Sequence, residues 1–594
     1  MSEDLIQKIT GLLRKKQWYE LPRNLALARL GTIRNELRQK NLHDTEEPPL
    51  EKKDPATADA TVRAGRTVDG TYDDLTYPAM GSVGRRFGRN FPLDQVKPDT
   101  ANLMNPSPRV VSRTLMTREQ FQPATILNLL AGAWIQFMVH DWFVHKRSAT
   151  QTVDIPLAPG DDWSDKTMTL PRTEPDPAPA GSTRPPAYAN LNSHWWDASM
   201  LYGCNADVAS KVRAKVGGKL RIEPTGLLPT DPETGVSFSG FTDNWWIGLA
   251  MLHTLFTLEH NYIADLLAHQ NPNWTDEQIF VKARLINSAL MAKIHTVDWT
   301  PAILPNPITY QAMHINWSGL VGEDAEELAM LVDDSEALGG IVGSKHDHHT
   351  APYSLTEEFV SVYRMHPLMP DEIAFRSLAT GRLVETLQLP DVTGRKTPGV
   401  AERHSMPDLF YSFGVSHPGA VTLHNYPKHL QNLTRDDGEH LDLAAVDIFR
   451  DRERGVPRYN QFRRLLHKDP VKSFDELTDN PVWRKQIKDV YGDIEKVDLM
   501  TGLYAEPLPP GFGFSDTAFR VFILMASRRL KSDRFFTDDW TPAIYTEFGL
   551  NYIKTNSMLS VLRRHFPQLA PALAGVTNAF APWKAVTPPV PPGQ

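Results

Sequence analysis

Three short segments concentrate the side chains that can do chemistry. In AWIQFMVHDWFVH, residues 133–145, Gln136 and His140 are four apart and so share one face of a helix. Asp141 follows and points elsewhere, toward where a cation could sit. His140 and His145 hint at zinc, but a five-residue spacing sets them about 140° apart around a helix. Alone, His140 also reads as a satisfied core histidine. In EEFVSVYRMHPLMPDE, residues 357–372, Tyr363 and His366 are three apart, on neighbouring rows of one helix that Pro367 and Pro370 then end. A histidine at a helix end can be an axial haem ligand, with a tyrosine one turn away near the porphyrin edge, where it can be oxidised to a radical. In NSHWWDASMLYG, residues 192–203, Ser193, Asp197 and Ser199 supply hard oxygen ligands at the short spacing of a calcium loop. Asp141 can add a second carboxylate, although Ser and Asp fill many ordinary turns.

These segments need a helical frame. Apolar residues recur at helical spacing over 124–145, 245–268, 274–296, 354–365, 513–530 and 556–565, while alternating Val, Ile and Thr runs are scarce. The expectation is a mainly α protein with few short strands, its large helical domain covering 121–594. Residues 46–120 are polar and rich in Pro, Gly and Asp, and read as an extended wrapping segment. Residues 152–190, containing DPAPAGSTRPPAY, read as a long surface loop. Residues 1–45 carry amphipathic helical spacing among Lys and Arg: Leu5, Ile9, Leu12 and Leu13, then Leu30, Ile33 and Leu37. Such helices suit a peripheral contact with a membrane surface or docking on the chain's own domain.

Composition narrows the classes. With 41% hydrophobic and 23% charged residues over 594, the chain has ample material for a core and is not wholly disordered. A formal charge of −8 argues against a protein built around nucleic acid. The single cysteine, Cys204, allows no internal disulfide and no cysteine-based metal site, so any metal chemistry rests on His and carboxylates in a reducing, cytoplasmic setting. The N-terminal MSEDLIQKITGLLRKKQWYE has acids at once and no apolar core, which argues against secretion.

Taken in order, Gln-x-x-x-His-Asp, Asp-Ala-Ser and Tyr-x-x-His-Pro-Leu resemble the animal-type haem peroxidase and cyclooxygenase superfamily. LHTLFTLEHN (252–261) resembles its helix over the haem, and VDIFRDRERGVPRYNQFR (446–463) its segment beside the proximal ligand. Within it the chain is similar to the fatty-acid α-dioxygenases. HDWFVH, KIHTVDWTPAIL (293–304) and ASRRLKSDRFFT (526–537) carry that likeness.

The resemblance implies a haem peroxidase/cyclooxygenase-like fold holding non-covalent haem b and calcium. His366 matches the axial haem ligand, His140 with Gln136 the distal pair, and Tyr363 the radical tyrosine. His295, Thr300 and Arg529 match the clamp on the substrate carboxylate, with Arg528 as the competing arginine. Asp141, Ser193, Trp195 (through its carbonyl), Asp197 and Ser199 match the calcium ligands. Arg450 and Arg454 match haem-propionate partners, and Asp447 an outer acceptor for the axial histidine. The implied reaction joins a long-chain fatty acid and O2: after activation by a peroxide, Tyr363 removes an α-hydrogen and O2 adds. The product is a 2-hydroperoxy acid that can lose CO2 to give the aldehyde one carbon shorter.

Departures bear on this. Val139 stands where secreted peroxidases place a haem-esterifying carboxylate, and Thr242 and Trp245 stand where they place a distal arginine and a second ester carboxylate. Non-covalent haem and weak general peroxidase activity are therefore expected. A cyclooxygenase-like dioxygenase of other regiochemistry, a haem peroxidase and a haem-binding protein without turnover are the competing readings. The cluster KHDHH, with His346, His348 and His349, looks like a metal site but has no counterpart in the family, and reads as a surface loop.

Overall fold

In the computed structural model, which describes residues 16–320, 336, 339–435 and 438–586, the helices that frame the site are α1 (Arg23–Lys40), α2 (Leu129–Trp142), α3 (Ile247–Gln270), α4 (Asp276–Lys293), α5 (Glu357–Val362), α6 (Leu443–Glu453), α7 (Asp516–Ser532), α8 (Pro542–Thr555) and α9 (Met558–His565). Their starts are written in the sequence. Asn128, Thr275, Thr356, Asp442, Ser515 and Ser557 each accept a first-turn backbone N–H from the side chain. Each such cap contributes about 1 kcal/mol.

Helix α2 is apolar nearly all round, and such a helix must be wrapped on every side. Trp134 and Phe137 pack on Phe256 of α3 at 5.5 and 5.7 Å between ring centroids. α4 lies against α3 and α8, and α5 against α7. One contiguous core runs from Trp18 to Trp583. The described part of the N-terminal helical pattern is docked on the protein. Leu27, Leu30, Ile33 and Leu37 of α1 are buried, and α1 packs on α7. Leu5, Ile9, Leu12 and Leu13 lie outside the described residues. Among those described, no helix is long and apolar enough to cross a membrane.

Strands among the described residues form three two-stranded antiparallel sheets. One corrects the expectation of a loop over 152–190. β1 (Arg147–Ile155) pairs with β2 (Met168–Thr173), Ile155 opposite Met168. Ile155, Met168 and Leu170 seal a small separate core with Trp163 and Phe449. Most of β1 is exposed, so its alternation is too weak to read from sequence.

The wrapping segment has few regular elements but many ties. Arg89 donates to Glu358 and to the carbonyls of Arg454 and Gly455, and the Asn90 N–H donates to the other oxygen of Glu358. It thereby holds α5 against the end of α6, the two helices that carry the Tyr363–His366 segment and its partners.

Candidate active site

Tyr363 and His366 follow α5 but do not share a helix, which corrects the sequence expectation. α5 ends at Val362, Tyr363 leaves it at φ −89°, ψ 8°, and His366 opens a separate 3-10 turn, His366–Leu368. Pro367 has no N–H to extend an α ladder, and its ring crowds the carbonyl four residues back, that of Tyr363. His366 Nδ1 lies 2.8 Å from Asp447 Oδ2 on α6. Arg364 Nη1 at 2.7 Å and the Tyr426 hydroxyl at 3.0 Å donate hydrogen bonds to Asp447. Burial alone would raise this carboxyl, but His366 and Arg364 hold it down at about 2. An anion on Nδ1 fixes the ring and leaves Nε2 as the ligand nitrogen, as in axial and metal-bound histidines.

Tyr363 is buried in an aromatic box of Phe359, Trp142 and Phe522, with centroids at 4.6, 5.0 and 5.6 Å. Burial pushes its phenol well above the ordinary 10 despite the charge of Arg529, so it is a neutral phenol at every working pH. Among the described residues its hydroxyl has no hydrogen-bond partner.

The neighbouring wall is built by an irregularity. After α4 the chain widens into a π-helical turn, Ile294–Trp299, and tightens into one α turn, Thr300–Ile303. Pro301 cannot donate to the carbonyl of Val297, so the ladder changes register before it, a device common at functional sites. His295 therefore points inward and stacks on Trp299 at 4.7 Å. Trp134 Nε1–H donates to His295 Nδ1 at 3.2 Å. Burial, with Arg529 nearby, lowers the imidazole well below 6.5, so the ring is neutral with its proton on Nε2. Among the described residues that buried Nε2 has no hydrogen-bond partner. The Thr300 hydroxyl donates to the His295 carbonyl at 2.8 Å and must turn to serve any ligand.

Arg529 completes this pocket. Its guanidinium lies 4.5 Å from the ring centroids of both Trp142 and Trp196. It is buried, and among the described residues none of its three nitrogens reaches an acceptor in hydrogen-bond geometry. A buried cation without hydrogen bonds costs several kcal/mol, which a bound carboxylate would return. Arg529 sits seven residues from Phe522, so both project from one face of α7, whereas Arg528 is turned about 100° away. Arg528 donates instead to the carbonyls of Ala351, Pro352 and Ser354, at 2.8, 2.8 and 3.3 Å. That corrects its candidacy for the carboxylate.

On α2, His140 is buried with Nδ1 unpartnered, and burial pushes it down to about 3. Gln136 is committed to the loop before α3: its Oε1 accepts from Trp246 Nε1 at 2.7 Å and its Nε2 donates to the Asn244 carbonyl at 3.3 Å. His145 pairs with Glu357 at 3.0 Å. Next to His140, Asp141 and Asp197 are both fully buried, each with one oxygen, Oδ2, lacking a hydrogen bond. Burial, with the Asp197 charge, pushes Asp141 up to about 7. Ser199 Oγ donates to Asp141 at 3.1 Å, and its N–H donates to Asp197 at 3.0 Å. The Trp195 N–H donates to Ser193 Oγ at 3.1 Å. Asp197 Oδ2 lies 3.5 Å from Arg284 Nη2, and two buried carboxylates among hydroxyls suit a hard cation. The same loop ties down the distal helix end, Asn192 donating to the His140 carbonyl and Asn190 to that of Trp142, both at 2.8 Å.

The predicted propionate partners separate. Arg450 is neutralised by Glu453 at 2.6 Å and capped by the Pro171 carbonyl, which speaks against a free role. Arg454 is loosely held, 3.3 Å from Thr173 Oγ1 and 3.9 Å from Glu357. Burial, with Arg364 and Arg450 nearby, lowers it to about 10 against the pull of Glu357, so an anion beside it would be welcome. Sequence reasoning missed Trp134, Trp142, Trp196, Arg364 and Tyr426.

The family model of the animal haem peroxidases matches residues 65–576. The Oryza sativa alpha-dioxygenase PIOX is 37% identical, covering 96% of this chain and 94% of its own. The crystal structure of Arabidopsis thaliana fatty acid alpha-dioxygenase superposes with a TM-score of 0.90 at 35% identity, over 100% of this chain and 95% of that one. A tyrosine-to-phenylalanine variant of the Oryza sativa fatty acid alpha-dioxygenase, solved with palmitic acid, gives 0.90 at 36%, over 98% of each chain. On matches that run nearly end to end, the chain belongs to the animal haem peroxidase family, in its α-dioxygenase branch.

Proposed function

We propose that the protein is a haem-dependent fatty-acid α-dioxygenase, converting a long-chain fatty acid and O2 to the 2-hydroperoxy acid. The observation that carries this is Arg529, without a hydrogen bond among the described residues, beside the buried phenol of Tyr363, both packed on Trp142. His366, backed by Asp447, would hold haem b, Arg454 would face a propionate, and Val139 leaves no ester link to it. When bound and exposed to a peroxide, haem supplies the one-electron oxidising power that a phenol needs.

The chain's own groups do the rest. His140 is neutral and can move a proton between peroxide oxygens. Tyr363 would give one electron and its hydroxyl proton to that oxidant, which leaves a neutral phenoxyl radical. Arg529 offers a planar fork and His295 Nε2–H a further donor, which together fix a carboxylate at the Tyr363 wall. The Cα–H then lies nearest the phenoxyl oxygen, which takes that hydrogen atom. O2 adds to the carbon radical, and the resulting peroxyl takes the hydrogen back from Tyr363. The 2-hydroperoxy acid breaks down to the shortened aldehyde, CO2 and water.

The test is oxygen uptake by haem-loaded protein with palmitate, with products identified by mass. Uptake giving 2-hydroperoxypalmitate and pentadecanal is expected; oxygenation at a mid-chain carbon would support the cyclooxygenase-like reading instead. No uptake despite a Soret band and added peroxide would leave a peroxidase or a haem binder.

Calcium between Asp141 and Asp197 would relieve their repulsion and hold the end of α2. Chelation is expected to lower the melting temperature, and calcium at a hundredfold excess over Kd to restore about 2.7 kcal/mol. Asp197→Asn should respond to neither in the same thermal melts.

A further inference from the structure

KHDHH is not a free surface loop. The chain around it lies across the C-terminal end of α7. The Asp347 N–H donates to the Lys531 carbonyl at 2.9 Å, Ser532 Oγ donates to the Asp347 carbonyl at 3.1 Å, and Lys531 Nζ donates to Ser344 Oγ at 3.0 Å. The backbone that carries His346 and His348 is thus fixed by a helix end. Their rings are 5.4 Å apart, centroid to centroid. His349 turns away to Asp347, from a left-handed backbone position at φ 59°.

Asp74, from the wrapping segment, meets them. Its Oδ1 is tied down by the N–H groups of Thr76 and Tyr77, at 2.8 and 2.6 Å. That leaves Oδ2 aimed at His348 Nε2, 2.8 Å away. His348 Nδ1 is buried with no partner. One ligand atom from each of Asp74, His346 and His348 lies within 4.8 Å of the others, and no other such trio of His, Cys, Asp or Glu occurs among the described residues. Behind His346, Asp538 takes Nδ1 and accepts the backbone N–H at 3.2 Å. A carboxylate behind the ring is the usual outer support of a metal-bound histidine, and it leaves Nε2 to bind.

Simple His–Asp ion pairs need only pairwise contact. Here three donors from two distant segments converge, and Asp74's second oxygen is tied off so that the first must face the histidines. Two imidazoles and one carboxylate suit zinc and its neighbours, whereas calcium and magnesium prefer all-oxygen sets. Three protein ligands leave a fourth position to water or to Asp538. We infer that Asp74, His346 and His348 form a binding site for a zinc-class divalent cation, separate from the active site. It staples the wrapping segment and the 341–354 loop to the end of α7, the helix that carries Arg529.

The test uses the full-length, haem-loaded protein, stripped of metal and then kept in excess calcium so that all-oxygen sites are filled. Zn2+ is titrated by calorimetry, and retained zinc is counted after desalting. Wild type is expected to bind one tight equivalent and to melt at a higher temperature with zinc. His346→Ala, at a half-exposed position, should keep its Soret band and lose affinity by about a hundredfold or more, as should His348→Ala. Asp538→Asn should lose about ten- to a hundredfold through the outer support. His314→Ala, on another helix, should match wild type. Absence of a stoichiometric equivalent in wild type, its survival in His346→Ala, or its equal loss in His314→Ala would each overturn the assignment.

Discussion

Tyr363→Phe is expected to abolish fatty-acid-dependent oxygen uptake, by about a thousandfold or more, while leaving the fold intact. The physical reason is the isolation of one oxygen atom. Among the described residues the phenol hydroxyl has no hydrogen-bond partner, so its removal breaks no such bond and leaves no orphaned group among them. The ring that remains still fills the box of Phe359, Trp142 and Phe522. The melting temperature should therefore hold or rise slightly, and the Soret band should be unchanged because His366 and Asp447 are untouched. The radical chemistry has no substitute: a phenyl ring gives up no hydrogen atom and returns none to the peroxyl. Retained oxygen uptake, measured with an oxygen electrode alongside the melts, would move hydrogen abstraction away from this residue.

What the sequence showed follows from periodicity, and what it hid follows from close range. The 3.6-residue spacing of α2, α3, α4 and α7 is long and strong, and caps such as Thr275 and Ser515 mark their starts. Asp447 beside His366 was expected from the family likeness, and the two side chains lie 2.8 Å apart. Other features depend on local competition. Tyr363 and His366 are three apart, yet Pro367 breaks the helix between them. Arg528 and Arg529 are equivalent as letters, and only the helical angle to Phe522 separates the carbonyl-bound arginine from the free one. Trp142 and Trp196 read as ordinary core, because a tryptophan packed against leucine and one packed against a guanidinium have the same hydrophobic signature. The metal-like histidines read as a surface loop from sequence, since Asp74 comes from some 270 residues away.

Arg529→Met should separate binding from stability in opposite directions. For fatty acid, the substitution removes the buried cation whose charge acts on Tyr363, and the carboxylate would then be desolvated without it. Losing one side of such a buried pair costs about 3–5 kcal/mol, or a hundred- to a few thousandfold in kcat/KM. KM should rise, and kcat should fall as well, because a carboxylate that is not fixed no longer holds its α-carbon at Tyr363. Products should lose regiochemical purity for the same reason. For the ligand-free protein the sign reverses. Among the described residues the guanidinium is buried with no hydrogen bond in good geometry, packed on Trp142 and Trp196 at 4.5 Å, with the Asp141 carboxylate near enough to feel its charge. Methionine fills similar volume and needs no counter-ion, so with calcium present to balance Asp141 the melting temperature should rise, by about 1–2 kcal/mol in stability. Arg528→Met is the contrast: it strands three carbonyls, at 351, 352 and 354, and should lower the melting temperature while sparing KM. Thermal melts and steady-state oxygen uptake on the two variants decide it, and a raised KM in Arg528→Met with wild-type behaviour in Arg529→Met would exchange their roles.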